Sequence, residues 1–333
     1  MIRTPLNDLL GIRHPIVQTG MGYVSGARLT AATSAAGGLG IIASATMSPE
    51  TLRSVIKEVK ERTDAPFGVN VRSDAPDVAE RIELIIAEGV RAASFALAPR
   101  RDLMAQLKDA GVVVIPSVGA RRHAEKVAAW GADAVDIPVV AAGGFFDGRG
   151  LAAALAYGAA GIAMGTRFLL TSDSPVPDAV KQAYLASDVT GTVVTTRVDG
   201  VPHRVLRTPL VERLDQAGPV RSLVRSARSA AAFRGLSGLS WAELIRQGRA
   251  MRRDTELTWG QVLMAANTPM LLRAAMVDGR PDLGLMSSGQ VAGLINDLPS
   301  CAELIARIMA EAEQCLARLG GLRALDRPPQ DRG

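Results

Sequence analysis

Residues 39–72, LGIIASATMSPETLRSVIKEVKERTDAPFGVNVR, read as one complete strand, helix and strand. LGIIASA is a short continuous apolar run, the pattern of a strand covered on both faces. Ser48-Pro49-Glu50 then marks a helix start, with a capping hydroxyl and proline in the first turn. An amphipathic run follows to Asp64, and FGVNVR opens the next strand.

The same alternation extends in both directions. PIVQTGMG (15–22) precedes the Ala-rich ARLTAATSAAGG, and VRAASFALAP (90–99), VVVIPSVG (112–119), IPVVAAGG (137–144) and AAGIAMGTRFLL (159–170) are each followed by a helical run. A repeat of roughly 25 residues is the signature of βα units on a parallel sheet. Gly89, Gly111, Gly131 and Gly158 stand where such helices end. Seven strands are clear, and a fragment, ADAV (132–135), follows Gly131. Eight would close a TIM-type (β/α)8 barrel. Only eleven residues separate Gly131 from Gly143, and a parallel crossover needs a dozen or more for its connection alone. The expectation is an α/β barrel of this type, short by one βα unit, over residues 1–188 and 281–322. An inserted, mostly helical, Arg-rich lid or substrate subdomain spans 189–280, and a flexible tail 323–333. The insertion begins with an extended Thr- and Val-rich stretch that turns at Asp199-Gly200.

At 333 residues, 48% hydrophobic and 21% charged, the chain can bury a core, which excludes intrinsic disorder. Only 4% of residues are aromatic, so base-stacking recognition of single-stranded nucleic acid finds little support. The formal charge of +5 is concentrated: from Arg197 to Arg253 stand 12 Arg against four acids, a segment charge of +8. Arg221, Arg225 and Arg228 follow i, i+4, i+7 spacing and share a helix face. Cys301 and Cys315 fall in one helical run, roughly 21 Å apart, so they cannot pair with each other. That suits a reducing, cytoplasmic setting. The N-terminus carries no apolar leader pattern, and the uncharged run Gly150 to Thr166, broken by Gly158 and Gly161, is too short to span a membrane.

In a barrel of this kind the working residues sit at the C-terminal strand ends, and a phosphate commonly lies after the last two strands. Here those loops are Gly143-Gly144 and Gly165-Thr166, which offer bare backbone N–H groups. The first strand ends in Thr19-Gly20-Met21-Gly22, where side-chain-free backbone could lie against a flat ligand or simply turn tightly. Asn70 ends the third strand, either as a contact to the polar edge of a heterocycle or as a turn former. Gln18 carries the same ambiguity. Of the three histidines, His14 lies at the N-terminal, stability end of the first strand and His123 on the first turn of a helix. His203, in the insertion, is a weak candidate base. Cys and His residues show no metal-ligand spacing, and no Walker or G-x-S-x-G pattern occurs.

QTGMG, SAAGGLGIIASA, FGVNV, IPVVAAGG, DGRGLAAALAYGAAGIAMGTRF and SGQVAGLI together resemble the nitronate monooxygenase, or 2-nitropropane dioxygenase, family, a group that includes flavin-dependent enoyl reductases. The likeness covers residues 5 to about 188 and 284–296. It implies a TIM barrel binding FMN, with Gly20, Met21 and Gly22 beneath the ring system and Asn70 at its polar edge. Gly143, Gly144, Gly165 and Thr166 would surround the phosphate, and Gln290 would approach from the C-terminal segment. A closer likeness is to actinobacterial flavin reductases of steroid C/D-ring degradation, which act on coenzyme A thioesters. In the family a Gly-rich loop of the form GGEGGGH, carrying a catalytic His, follows the sixth strand. Here ADAV runs straight into DIPVV, so that loop and the next helix are absent. Either the protein lacks them or the sequence as written omits a segment; omission is favoured because the junction leaves a parallel edge unpaired.

These readings imply an FMN-dependent oxidoreductase moving hydride to or from a carbon near a carbonyl. The substrate is a small molecule, an acyl-CoA whose phosphates Arg221, Arg225 and Arg228 would attract, with NAD(P)H as co-substrate. Two alternatives stand beside it: oxidation of alkyl nitronates with O2, and a non-catalytic flavin-binding or phosphate-binding barrel if the deletion is real. The expected partners include neither nucleic acid nor membrane, and a homo-oligomer is open.

Overall fold

The computed structural model describes residues 2–96, 99–130, 138–198, 202–215 and 267–324. The chain divides into two compact units, Met1–Pro175 with Asp297–Gly333, and Val176–Asn296.

The first unit is built on parallel strands β1 (Ile16–Gln18), β2 (Leu39–Ala43), β3 (Phe67–Arg72), β4 (Ala92–Ala96), β5 (Val113–Pro116), β6 (Val140–Ala142) and β7 (Gly161–Met164). Their order is β5-β4-β3-β2-β1-β7-β6, every neighbouring pair parallel. Helices α3 (Pro49–Arg62), α4 (Val78–Ala87), α5 (Arg101–Asp109), α6 (Arg121–Ala129) and α7 (Gly148–Ala156) connect them. The start of α3 bears out its sequence: the Ser48 hydroxyl accepts from Thr51 N at 3.2 Å with Pro49 in the first turn. Leu52, Ile56 and Val59 are fully buried along one stripe.

Side chains leave the strands alternately. Ile42, Phe67, Val69, Val71, Ala93 and Phe95 pack against the helices with Ile56, Ile82 and Leu107. Val17, Leu39, Ile41, Ala92, Val113 and Ala163 form a second core on the other face, closed at the N-terminal end by Leu6 and Leu10 of α1 (Pro5–Leu10). Asn70 and Ser94 occupy the same alternate positions as Gly68 and Ala92, one layer nearer the C-terminal strand ends.

Where eight strands would close the ring, β5 and β6 are edges, each paired on one side only among the described residues. The junction 131–137 lies outside the described residues.

The C-terminal helix (Cys301–Ala324) returns to the first unit and packs on α7 and on α2 (Ala27–Ala35). Ser300 and Glu303 cap it reciprocally: the carboxylate accepts from Ser300 N at 2.8 Å and the hydroxyl from Glu303 N at 3.2 Å. Both cysteines lie in this helix as free thiols. Burial among apolar groups pushes the Cys301 thiol up to about 12.

The second unit holds helix α8 (Asp178–Leu185), an antiparallel hairpin of β8 (Thr192–Thr195) and β9 (His203–Leu206), α9 (Pro209–Asp215) and a helix over Asn267–Met276. Its core is Val198, Val205, Val211, Leu214 and Leu285. Among the described residues no helix is long and apolar enough to cross a membrane.

Candidate active site

The loop after β1 is organised by Ser25. Its hydroxyl accepts from Met21 N at 2.9 Å and from the Gln18 amide at 2.8 Å, and donates to Thr19 O at 3.1 Å. Gln18 is fully buried and also braces Ile41, donating to its carbonyl at 3.2 Å and accepting from its N–H at 3.3 Å. That resolves its ambiguity in favour of an internal brace. Within the loop Tyr23 holds a φ of 64°, a left-handed conformation that costs a non-glycine residue about 1–3 kcal/mol and collects at functional sites.

Two neighbours flank this loop. On one side Thr19 N donates to Met164 O at 3.1 Å, and a Cβ placed on Gly165 would stand 3.2 Å from Thr19 Oγ1 and 3.5 Å from Met21 Sδ. On the other, a Cβ on Gly20 would stand 2.6 Å from the Cβ of Asn70, closer than real Cβ atoms approach. Glycine is required at 20 because the end of β3 comes that close.

Asn70 is half-buried and held on both sides. Its amide donates to Ser94 Oγ at 2.9 Å, and its carbonyl accepts from the Ser44 hydroxyl at 2.7 Å. Ser44 is fixed in turn by Arg81, whose guanidinium donates to Ser44 O and Met47 O at 2.7 Å each. Asp77 grips Arg81 bidentately at 2.9 and 2.7 Å, and the Arg81 hydrogen bonds hold the Asp77 carboxyl below the usual carboxylate range.

Gly143 and Gly144 follow β6 with φ of 104° and 78°, and a Cβ on either would meet nothing within 4 Å. Two successive positive-φ glycines leave bare N–H groups, the kind of backbone that cradles an anion. They neighbour Gly165-Thr166, because β6 and β7 pair in register. The start of α7 is not available to the same anion: Gly150 N donates to Asp147 at 2.9 Å and Gly148 N to Glu311 at 2.8 Å. Arg167 is also committed elsewhere. Burial draws its guanidinium below its ordinary value, and it donates to Asp297 at 2.8 Å, Leu170 O at 2.8 Å and Asp297 O at 3.0 Å.

Gly20, Met21, Gly22, Asn70, Gly143, Gly144, Gly165 and Thr166 therefore fall on one arc of strand ends, from β6 through β7 and β1 to β3. His203 begins β9 and Gln290 opens a short helical turn (Gln290–Leu294), both in the second unit. Arg221, Arg225 and Arg228 lie outside the described residues. Among the described residues no group of three or more His, Cys, Asp or Glu could hold a metal ion. Sequence reading missed Ser25, Ser44, Ser94 and the Asp77–Arg81 clamp. The clamp has a visible i, i+4 spacing, but its reach to Ser44 and Met47 is a tertiary fact.

A family model described as nitronate monooxygenase matches residues 3–84, 77–135 and 132–311. The break between the second and third stretches falls at the junction where a βα unit is short. A relative from Mycobacterium tuberculosis, named (3aS,4S,5R,7aS)-5-hydroxy-7a-methyl-1-oxo-octahydro-1H-indene-4-carboxyl-CoA dehydrogenase, is 59% identical over 341 residues, covering 93% of this chain and 96% of its own. A protein of the same name from Rhodococcus jostii is 55% identical, covering 97% and 99%. Since 93% of 333 residues is about 310, some thirty of the 341 aligned positions carry no residue of this chain. Among solved structures, FabK from Thermotoga maritima superposes with a TM-score of 0.77 at 33% identity, covering 97% of this chain and 100% of that one.

Proposed function

The chain belongs to the nitronate monooxygenase family, and on that premise we propose that it is an FMN-dependent oxidoreductase acting on a coenzyme A thioester of a fused-ring carboxylic acid. The observation that carries the substrate is the pair of relatives at 59% and 55% identity, both named as dehydrogenases of one hydroxy-octahydro-indene carboxyl-CoA.

The residues present fit the cofactor. Gly143 and Gly144 offer unhindered backbone to a phosphate, with Gly165 and Thr166 beside them. Gly20 and Gly22 would keep the first loop low beneath a flat ring, and Asn70 would stand at its polar edge. The family resemblance adds Gln290. When bound, FMN supplies the hydride chemistry at a carbon near a carbonyl, with NAD(P)H as the second redox partner. The protein's share is to hold the ring and phosphate, and Arg221, Arg225 and Arg228 attract the phosphates of the CoA moiety.

The test compares two assays on the purified, flavin-loaded protein. NAD(P)+-linked oxidation of the 5-hydroxy-octahydro-indene carboxyl-CoA is expected, with no O2 consumption on alkyl nitronates; the opposite result makes the chain a nitronate oxidiser. Replacing Arg221, Arg225 and Arg228 together by Ala should raise KM for the thioester while leaving flavin content unchanged.

The thirty aligned positions without a counterpart favour a second reading, a barrel that binds flavin and does not turn over. Stoichiometric flavin with neither activity identifies it.

A further inference from the structure

We propose that Tyr184 is a positioning residue: its buried hydroxyl holds the peptide that leads into Gln290 and so fixes where the Gln290 carboxamide stands. The inference rests on the flavin reading above, in which Gln290 meets the flavin.

All the groups involved belong to the second unit. Residues 286–288 lie along β9 as a short antiparallel ladder. Val205 and Ser287 face each other across it, flanked by Leu206 N donating to Met286 O at 2.9 Å and Ser288 N donating to Arg204 O at 3.0 Å. A pair that sits between such hydrogen bonds turns its own N–H and C=O groups away from the partner strand. The Ser287 carbonyl therefore points away from β9, and Tyr184 on α8 meets it there, donating at 2.5 Å. A carbonyl only accepts, so the direction of this bond is not in question. One peptide unit, Ser287 C=O with Ser288 N–H, is thus gripped from both sides.

The grip is rigid on the α8 side. Tyr184 is fully buried, and burial holds its phenol well above its ordinary value of 10, so the donor proton stays in place. Only Gly289 separates the gripped peptide from Gln290, which is exposed and opens the turn Gln290–Leu294. The far end of that turn is seated by the chain just after α8: a Cβ on Gly293 would stand 2.1 Å from the Asp188 carbonyl. Shape fixes the far end, and the Tyr184 hydrogen bond fixes the near end, from which the carboxamide projects. In Tyr184→Phe the ring still fills its site, but the peptide is held from β9 alone.

The experiment is a double-mutant cycle on the full chain. The apoprotein is titrated with FMN, following flavin fluorescence, for the wild type, Tyr184→Phe, Gln290→Ala and the double variant, and urea unfolding is run on each. Tyr184→Phe should weaken FMN by about fivefold, the scale of one hydrogen bond. In the Gln290→Ala background the same change should weaken FMN no further, because the group being positioned is gone. Its effect on urea unfolding should be equal in both backgrounds. FMN losses that multiply in the double variant, or wild-type FMN affinity in Tyr184→Phe, overturn the role of Tyr184 and leave the flavin reading standing. A Tyr184→Phe chain that does not fold assigns the hydroxyl to the fold and overturns that role as well. Wild-type affinity in Gln290→Ala removes Gln290 from the flavin and the inference with it. Failure of the wild type to bind FMN overturns the flavin reading together with the inference.

Discussion

The β1–β4 side of the first unit and its β5–α6–β6 side use similar sequence material and reach different packing. Helix α4 buries Val78, Arg81, Ile82, Leu84 and Ile85, whereas α6 buries Val127 alone. Strands β2 and β7 are buried throughout, but β6 is half-buried to exposed, and Val139 just before it is 61% exposed. A strand or helix is only as buried as the neighbour that covers it. On the second side β5 and β6 each lack a second neighbouring strand among the described residues, and the difference teaches that amphipathic pattern alone does not measure core contribution.

Core truncation should separate the two sides most. Ile82→Ala is expected to cost about 3 kcal/mol, the middle of the range for a fully buried aliphatic, while Val127→Ala, a smaller truncation on a helix whose other side chains are not buried, should cost about 1 kcal/mol. Urea unfolding of the pair checks this, and equal losses would erase the contrast. Next in size is Gly20→Ala. Its Cβ must displace the end of β3, so FMN affinity should fall by roughly thirtyfold, about 2 kcal/mol of overpacking, with a smaller effect on folding. Gly143→Ala probes the open side: nothing crowds its Cβ, so only the positive φ is penalised, at about 1 kcal/mol. It should weaken FMN far more than riboflavin, a split that calorimetric titration of both ligands would show.

The smallest effect concerns His14, under β1 on the packed side. Burial chiefly, and Arg13 secondarily, hold its imidazole below its ordinary value of 6.5, against a weaker upward pull from Glu313. Its Nδ1 is buried without a partner. The folded chain thus binds this proton less readily than the unfolded chain. This contribution to stability is fully present above about pH 6.5 and is lost as pH falls below it. Melting temperatures over pH 5 to 8 should show that loss in the wild type and a flatter profile in His14→Gln.

Much of the site was legible because it is made of backbone. Gly143-Gly144, Gly165 and Gly20 announce themselves as glycines at strand ends, and strand ends follow from the alternation of apolar and helical runs. The polar side chains that brace the first loop and Asn70 were not legible. Ser25, Ser44 and Ser94 are ordinary serines in a Ser-containing chain, and nothing local shows that three strands bring them within hydrogen-bond reach. Gln18 illustrates the same limit from the other direction, since its ambiguity disappears only when its amide is seen spent on Ser25 and Ile41.

The sequence by itself determined the parallel α/β architecture, the starts of α3 and the C-terminal helix, the glycine-bearing strand ends after β6 and β7, and the seven clear strands. These follow from local chemistry: strand and helix periods, caps, and glycine's freedom at positive φ. Only the tertiary structure decided that Gly20 must be bare because Asn70 lies against it, that the α7 terminus is occupied by Asp147 and Glu311, and that Arg167 serves Asp297. Each of those depends on groups far apart in the chain meeting within a few ångströms, and that proximity is set by strand order, which no local pattern encodes.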